Sequence, residues 1–153
     1  KDKNINNANN DDPYSMYIYA CALYNGDGIE INKEEAAKFF KMSADKGNVK
    51  SMKKYAYMLK HGDGIPVDKK RAYFYFKNAA DNYDKYAMNT YAILLHRCNG
   101  DKSEVIEHFK DAIQSGCVDA MINCASILDM GIPQIIEPLY KKAAKKKWCI
   151  CYV

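Results

Sequence analysis

Apolar residues recur along this chain with the period of an α-helix, in pairs of short segments. In the first segment of each pair, four apolar residues stand at positions i, i+3, i+4 and i+7, which places them on one side of a helix. In the first copy these residues are Met16, Tyr19, Ala20 and Leu23. The pattern predicts a helix that we call helix A.

The second segment of each pair predicts another helix, helix B. Asn32 precedes it as an N-cap, and Glu34 and Glu35 follow near the positive end of the helix dipole. Gly26 and Gly28 separate the two helices, and glycine ends a helix and turns the chain at little steric cost. The stripe of helix B consists of Ala36, Phe39, Phe40, Ser43 and Ala44.

The A and B pair repeats along the chain. Residues 25–44 align with residues 61–80 at an offset of 36, including both turn glycines. The pattern continues downstream with deletions between the helices, which gives about four repeats. One hairpin cannot bury both of its faces, so successive hairpins are expected to stack. The sequence therefore predicts an all-α fold, a right-handed α/α superhelix (solenoid) of helix-turn-helix repeats.

The same alignment divides the chain into segments. Residues 1–13 are polar and rich in Asn, which is typical of an arm or linker. The repeats are expected over residues 14–147, and residues 148–153 align with the start of a further helix or an interrupted repeat. The predicted repeats cover about 14–49, 50–85, 86–118 and 119–147.

Charge and cysteine content narrow the class of protein. The net charge of +4 is well below that of a dedicated nucleic-acid binder, so no nucleic-acid partner is expected. A helix that spans a membrane needs about 18 consecutive apolar residues, and the sequence contains no such run. The six cysteines fall irregularly with respect to the repeats, which favours reduced thiols and a cytoplasmic protein. The sequence opens on Lys1 and not on Met, so the N-terminus is expected to be incomplete.

The segment from Met16 to Gly47 resembles a Sel1-like repeat, a relative of the tetratricopeptide repeat with a longer turn. The resemblance rests on the string A-x-x-L-x-x-G-x-G-I followed by A-x-x-F-F-x-x-S-A-x-x-G. It implies an adaptor that assembles protein complexes, without a shared catalytic motif or cofactor. Some secreted relatives have a disulfide in each repeat, between cysteines at a regular spacing. In this chain only Cys117 and Cys124 come near the spacing of such a cysteine pair.

A partner-binding groove is predicted on the side of the A helices opposite helix B, because stacking aligns these positions into columns. Tyrosines there would supply aromatic contacts and lysines would select acidic groups on a protein or peptide partner. The alternative is that these are ordinary solvated helix positions. The predicted groove residues are Tyr14, Tyr17, Lys50, Lys53, Lys54, Tyr57, Tyr86, Asn89 and Ile93.

Catalytic and metal sites are not predicted. The three histidines lack the spacing that brings metal ligands together, and His96 near Cys98 lacks an orienting carboxylate. The lysine cluster at 141–147 fits a solvated helix end. The preferred function is a noncatalytic scaffold in a multiprotein complex. The alternatives are a structural component of a large assembly, for example a cytoskeletal one, and, less favoured, a secreted repeat protein with hydrolase-like activity.

Overall fold

The structure, a computed structural model, describes residues 11–128 and shows seven α-helices and no strand within that range. The all-α, helix-turn-helix fold predicted from the sequence is confirmed for these residues. Most of the predicted arm, the rest of the fourth repeat and segment 148–153 lie outside the described residues. The helices are α1 (Pro13–Asn25), α2 (Lys33–Asp45), α3 (Val49–His61), α4 (Lys69–Asp81), α5 (Lys85–Arg97), α6 (Lys102–Gln114) and α7 (Val118–Leu128).

Side-chain caps fix where the helices begin. The side chain of Asn32 accepts a hydrogen bond from the backbone N–H of Glu35, so the predicted N-cap of helix B is confirmed. The same kind of cap starts each of the first six helices, which satisfies a backbone donor that has no partner inside the helix. These caps are Asp12, Asn32, Asn48, Asp68, Asp84 and Asp101.

The turns between helices A and B depend on backbone conformations that favour glycine. Gly28 and Gly64 occupy equivalent places in the first two turns, with φ of +81° and +77°. A Cβ on Gly28 would meet no atom within 4 Å, whereas a Cβ on Gly64 would overlap the Cβ of Lys33. The second turn therefore packs closely against the start of α2.

The chain forms two compact units. The N-terminal unit contains α1–α4 and the C-terminal unit contains α5–α7. In the N-terminal unit, hairpin 1 (α1 and α2) and hairpin 2 (α3 and α4) stack because α2 packs against α3. In the C-terminal unit, α5 pairs with α6, and α7 contacts both of them.

Alternating small and bulky residues build the core of each hairpin. Ala20 of α1 and Ala36 of α2 are fully buried, as is the ring of Phe40. Small residues let two helices approach closely while an aromatic ring fills the adjacent space. The predicted apolar stripes are confirmed as core at seven of nine positions, while Tyr19 and Phe39 are only half-buried. The seven are Met16, Ala20, Leu23, Ala36, Phe40, Ser43 and Ala44.

An edge-to-face aromatic pair joins helix A to helix B in each of the first three hairpins. In hairpin 1 the rings of Tyr19 and Phe39 lie 4.7 Å apart at 85°. In hairpin 2 the equivalent rings, those of Tyr55 and Tyr75, lie 5.0 Å apart at 84°. Tyr91 and His108 form the corresponding contact between α5 and α6, with ring centroids 4.8 Å apart.

A chain of buried hydroxyl groups links three helices of the N-terminal unit. The hydroxyl of Ser51 on α3 donates a hydrogen bond of 2.7 Å to the hydroxyl of Ser43 on α2. Ser43 in turn donates to the backbone carbonyl of Pro13, the first residue of α1, at 2.5 Å. Both serine side chains are fully buried, so each hydroxyl needs these partners.

Candidate functional site

Tyrosines of α1 and lysines of α3 form one surface of the N-terminal unit, which we call the tyrosine–lysine face. The Lys50 ammonium lies 6.0 Å from the centre of the Tyr17 ring. One helical turn further along α3, the Lys54 ammonium lies 5.6 Å from the Tyr24 ring. These cation–π contacts align neighbouring A helices side by side. The face consists of Tyr14, Tyr17, Tyr24, Lys50, Lys54 and Tyr57.

The face offers positive charge and aromatic surface to solvent. Lys50 and Lys54 are exposed, and neither forms an ion pair with a carboxylate among residues 11–128. Tyr14 and Tyr57 lie at its two ends with 58% and 50% of their surface exposed. The Tyr57 ring also lies against that of His61, with ring centroids 4.3 Å apart and the planes tilted by 42°. This combination suits a ligand that carries both anionic and apolar groups.

Tyr17 lies deeper than the sequence suggested. The sequence placed it on the side of α1 opposite helix B, but its ring centre lies only 6.0 Å from that of Phe40 on α2. Burial is the main cause that raises the pKa of its hydroxyl, to about 12, followed by a hydrogen bond with Cys21. Tyr17 thus supports the face from below, and Tyr14, whose ring centre is 6.4 Å away, is the more accessible ring.

Tyr24 was missed by the sequence analysis, although its position contained a signal. It follows Tyr17 by seven residues, which is two helical turns, and therefore lies on the same side of α1. Its hydroxyl donates a hydrogen bond to a carboxylate oxygen of Asp63 in the second turn. The other oxygen of Asp63 accepts from the Lys33 ammonium at 2.7 Å. Asp63, which lies in the turn between α3 and α4, thus connects the two hairpins.

This contact predicts a pH-dependent stability. The hydrogen bond from Lys33, followed by the one from Tyr24, lowers the pKa of Asp63 below its ordinary 3.8. A carboxyl group whose pKa is lowered in the folded state stabilises the fold at pH values above its ordinary pKa. This stabilisation is lost as the pH falls through the folded-state pKa. We expect unfolding midpoints in urea to fall below about pH 4, and the Asp63→Asn variant to lose part of that dependence. Equal pH profiles for the two proteins would contradict the role of Asp63.

The remaining predicted groove residues divide between the two units. Lys53 is half-buried on α3 of the N-terminal unit. In the C-terminal unit, Tyr86 is exposed on α5 and Ile93 is half-buried. Asn89 is less accessible than the sequence suggested, because it is buried and its side-chain oxygen accepts a hydrogen bond of 3.0 Å from the Asn123 amide of α7. Partner binding by the nine residues stays a prediction.

A cleft of about 470 Å³ lies between α2 and the turn that joins α3 to α4. Its floor includes Leu59 and Ile65, and its rim carries both signs of charge. Arg71 on the rim donates a hydrogen bond of 2.7 Å to the hydroxyl of Tyr55. Lys38 lies 3.5 Å from Glu34. Because these charged side chains already have polar or charged partners, the cleft is a weaker candidate site for an ionic ligand than the tyrosine–lysine face is.

Among residues 11–128 no cluster of three or more His, Cys, Asp or Glu side chains is arranged to hold a metal ion. None of the helices in this range combines the length and apolar character that crossing a membrane requires.

Comparison with known proteins points to one family. The model of the Sel1 repeat matches residues 13–48 and 49–84, which contain hairpin 1 and hairpin 2. No curated protein sequence matches the chain. Sel1 repeats generally mediate protein–protein interactions.

Two solved structures share the fold. A Sel1 repeat protein from Oxalobacter formigenes is 21% identical with a TM-score of 0.73, and the match covers 83% of this chain and 96% of that one. A protective antigen of uropathogenic Escherichia coli strains, which displays an SLR fold, is 19% identical with a TM-score of 0.77. That match covers 88% of this chain but only 31% of the antigen. The α/α solenoid class predicted from the sequence is confirmed, and residues 13–48 and 49–84 are two Sel1 repeats.

Proposed function

We propose that this protein is a noncatalytic adaptor whose tyrosine–lysine face binds an acidic segment of a protein partner within a larger complex. The observation that carries the proposal is the position of Lys50 and Lys54, two exposed ammonium groups held over tyrosine rings without a carboxylate partner in the described range. Cations held in this way are already ordered, so binding an anionic group costs less side-chain entropy.

The spacing of the two lysines indicates how far apart the acidic groups of the bound segment should be. They are four residues apart on one helix, so their positions along the axis differ by about 6 Å. Alternate residues of an extended chain are about 6.6 Å apart, which is nearly the same distance. A peptide with two acidic residues at alternate positions would therefore place its carboxylates near both lysines. Apolar side chains on the same face of the peptide, one before and one after the acidic pair, would lie against the exposed rings of Tyr14 and Tyr57.

A charge reversal tests the proposal. The probe is a short fluorescent peptide that carries Leu, Glu, Glu and Leu at successive alternate positions, with serines between them. The double variant Lys50→Glu, Lys54→Glu should bind this peptide at least about tenfold more weakly than the original chain does. The matched control is Lys69→Glu, Lys70→Glu, which changes the net charge equally at two exposed positions of α4. Fluorescence anisotropy titrations measure the three affinities. Equal weakening in both variants, or none in the first, would contradict a specific site.

The proposal includes a cytoplasmic location for the adaptor. A cytoplasmic adaptor agrees with the irregular distribution of the six cysteines, which provides no repeated disulfide framework. In native material, amine-reactive crosslinkers should join Lys50 or Lys54 to acidic segments of a partner, and mass spectrometry identifies those peptides. Crosslinks confined to other lysines would contradict this orientation of the partner.

A further inference from the structure

A second surface of the N-terminal unit lies on the outer side of hairpin 1. It is defined by comparison with hairpin 2, since the two hairpins are related by the offset of 36 residues. Five positions of hairpin 2 that are buried or half-buried are each more exposed at the equivalent position of hairpin 1. We call these hairpin 1 residues the outer face: Ser15, Tyr19, Ala22, Phe39 and Met42, which are equivalent to Ser51, Tyr55, Met58, Tyr75 and Asn78.

On hairpin 2 the equivalent positions form its junction with hairpin 1. Tyr55 and Tyr75 are only 5% and 6% exposed, and Met58 is fully buried. The Tyr75 hydroxyl donates a hydrogen bond of 2.6 Å to Asp45, the last residue of α2. This face of hairpin 2 is therefore a surface that receives α2.

The outer face of hairpin 1 has a similar arrangement of rings, and no helix among residues 11–128 covers it. The edge-to-face pair Tyr19 and Phe39 matches the pair Tyr55 and Tyr75 in ring distance and angle. Tyr19 and Phe39 are nevertheless half-buried, and Met42 beside them is 46% exposed. The rings are already held in the geometry that accepts a helix on hairpin 2, so little reordering would accompany binding.

The edge of the outer face carries a carboxylate suited to a lysine. Asp27 is the equivalent of Asp63, which reaches across the junction to the Lys33 ammonium. Asp27 itself is exposed and accepts a hydrogen bond of 3.3 Å from the side-chain amide of its neighbour Asn25. A lysine at the start of an incoming helix would meet Asp27 as Lys33 meets Asp63.

We propose that the outer face binds an amphipathic helix that resembles α2, supplied by a partner protein. Such a helix begins with a lysine and presents small residues such as alanine to the aromatic pair. In α2, Ala37 is buried and lines the same cleft as Tyr55 of hairpin 2. Phe39 lacks the hydroxyl with which Tyr75 binds Asp45, so the incoming helix needs no acceptor at its last residue. The incoming helix would continue the kind of interface that joins the two hairpins, and its binding would not involve the tyrosine–lysine face.

A helical peptide copied from α2 tests the proposal on the whole chain. The probe is a fluorescent peptide of residues 32–46. A covalent staple between positions 35 and 39 holds it helical, and this staple lies on the side of the helix opposite Ala37. We expect binding that weakens at least about tenfold when Ala37 of the peptide is replaced by Glu. Replacing Asp45 of the peptide by Leu should leave the affinity unchanged or higher.

Variants of the chain locate the binding surface. Tyr19→Ala with Phe39→Ala should lower the affinity at least about tenfold, as should Met42→Glu, which places a charge on the face at an exposed position. Phe74→Ala is the matched control, because Phe74 is an exposed ring elsewhere on the unit. Circular dichroism verifies that each variant is folded, and sedimentation equilibrium measures self-association.

Three outcomes would overturn the proposal. The first is that the peptide fails to bind the original chain, and the second is that Phe74→Ala weakens binding as much as Met42→Glu does. The third is a dimer of the chain that Met42→Glu dissociates, which would assign the outer face to a second copy of this chain. Loss of acidic-peptide binding in the Lys50 and Lys54 variant bears only on the adaptor function, so the two proposals can fail separately.

Discussion

Truncating Phe40 to alanine is expected to lower the free energy of unfolding by about 3–5 kcal/mol, the cost of removing a fully buried aromatic ring from a packed core. The Phe40 side chain has 0% of its surface exposed. Its ring lies 6.0 Å from that of Tyr17 and 6.4 Å from that of Tyr24, measured between centroids. Urea denaturation followed by far-ultraviolet circular dichroism measures the change.

The matched control for this prediction is Phe74→Ala. Phe74 is 56% exposed on α4, so its truncation leaves no enclosed cavity and should cost no more than about 0.5 kcal/mol. Because Phe40 supports two rings of the tyrosine–lysine face, its variant should also bind the acidic peptide more weakly. Similar losses of stability in the two variants would contradict the assignment of Phe40 to the core.

Replacing Gly64 by alanine is expected to lower the free energy of unfolding by about 2–5 kcal/mol in total, from two separate causes. The first is its φ of +77°, in the left-handed region that side chains adopt at a cost of about 1–2 kcal/mol. The second is the overlap of a new Cβ with Lys33, whose carbonyl carbon would lie 3.1 Å away. Urea unfolding midpoints measure the sum.

Gly28→Ala separates these two causes. Gly28 has a φ of +81° in the equivalent turn, but a Cβ there would meet nothing within 4 Å. It should therefore cost only about 1–2 kcal/mol, the backbone cost alone. The difference between the two variants measures how closely the second turn packs against the start of α2. Equal losses would show that α2 can move aside without cost.

The helices and their order could be predicted from the sequence because they depend on local patterns. The apolar stripe of α1, the N-cap at Asn32 and the glycine turn at Gly26 are all visible in short windows of residues. Each satisfies a rule of spacing or backbone conformation that needs no knowledge of distant neighbours. The repeat at 36 residues then predicted that the hairpins stack.

The side-chain partners across the junction could be predicted only in part. The periodicity places Tyr17 and Lys50 on their helices, but the rotation of one hairpin against the next decides which atoms meet. The link from Tyr24 through Asp63 to Lys33 joins a helix end, a turn and a helix start. No single helical period contains all three, so this link could not be predicted from the sequence.

The hydroxyl chain from Ser51 through Ser43 to Pro13 bears on how the N-terminal unit opens. The carbonyl at the start of α1 is held by α2, which is itself held by the start of α3. If the first turn of α1 detaches, the buried hydroxyl of Ser43 on α2 loses its hydrogen-bond acceptor. Leaving this buried donor without a partner costs about 1–3 kcal/mol. Amide protons near the beginnings of α1 and α3 should consequently exchange with solvent in one cooperative event, so that a partner pulling on either hairpin acts on both.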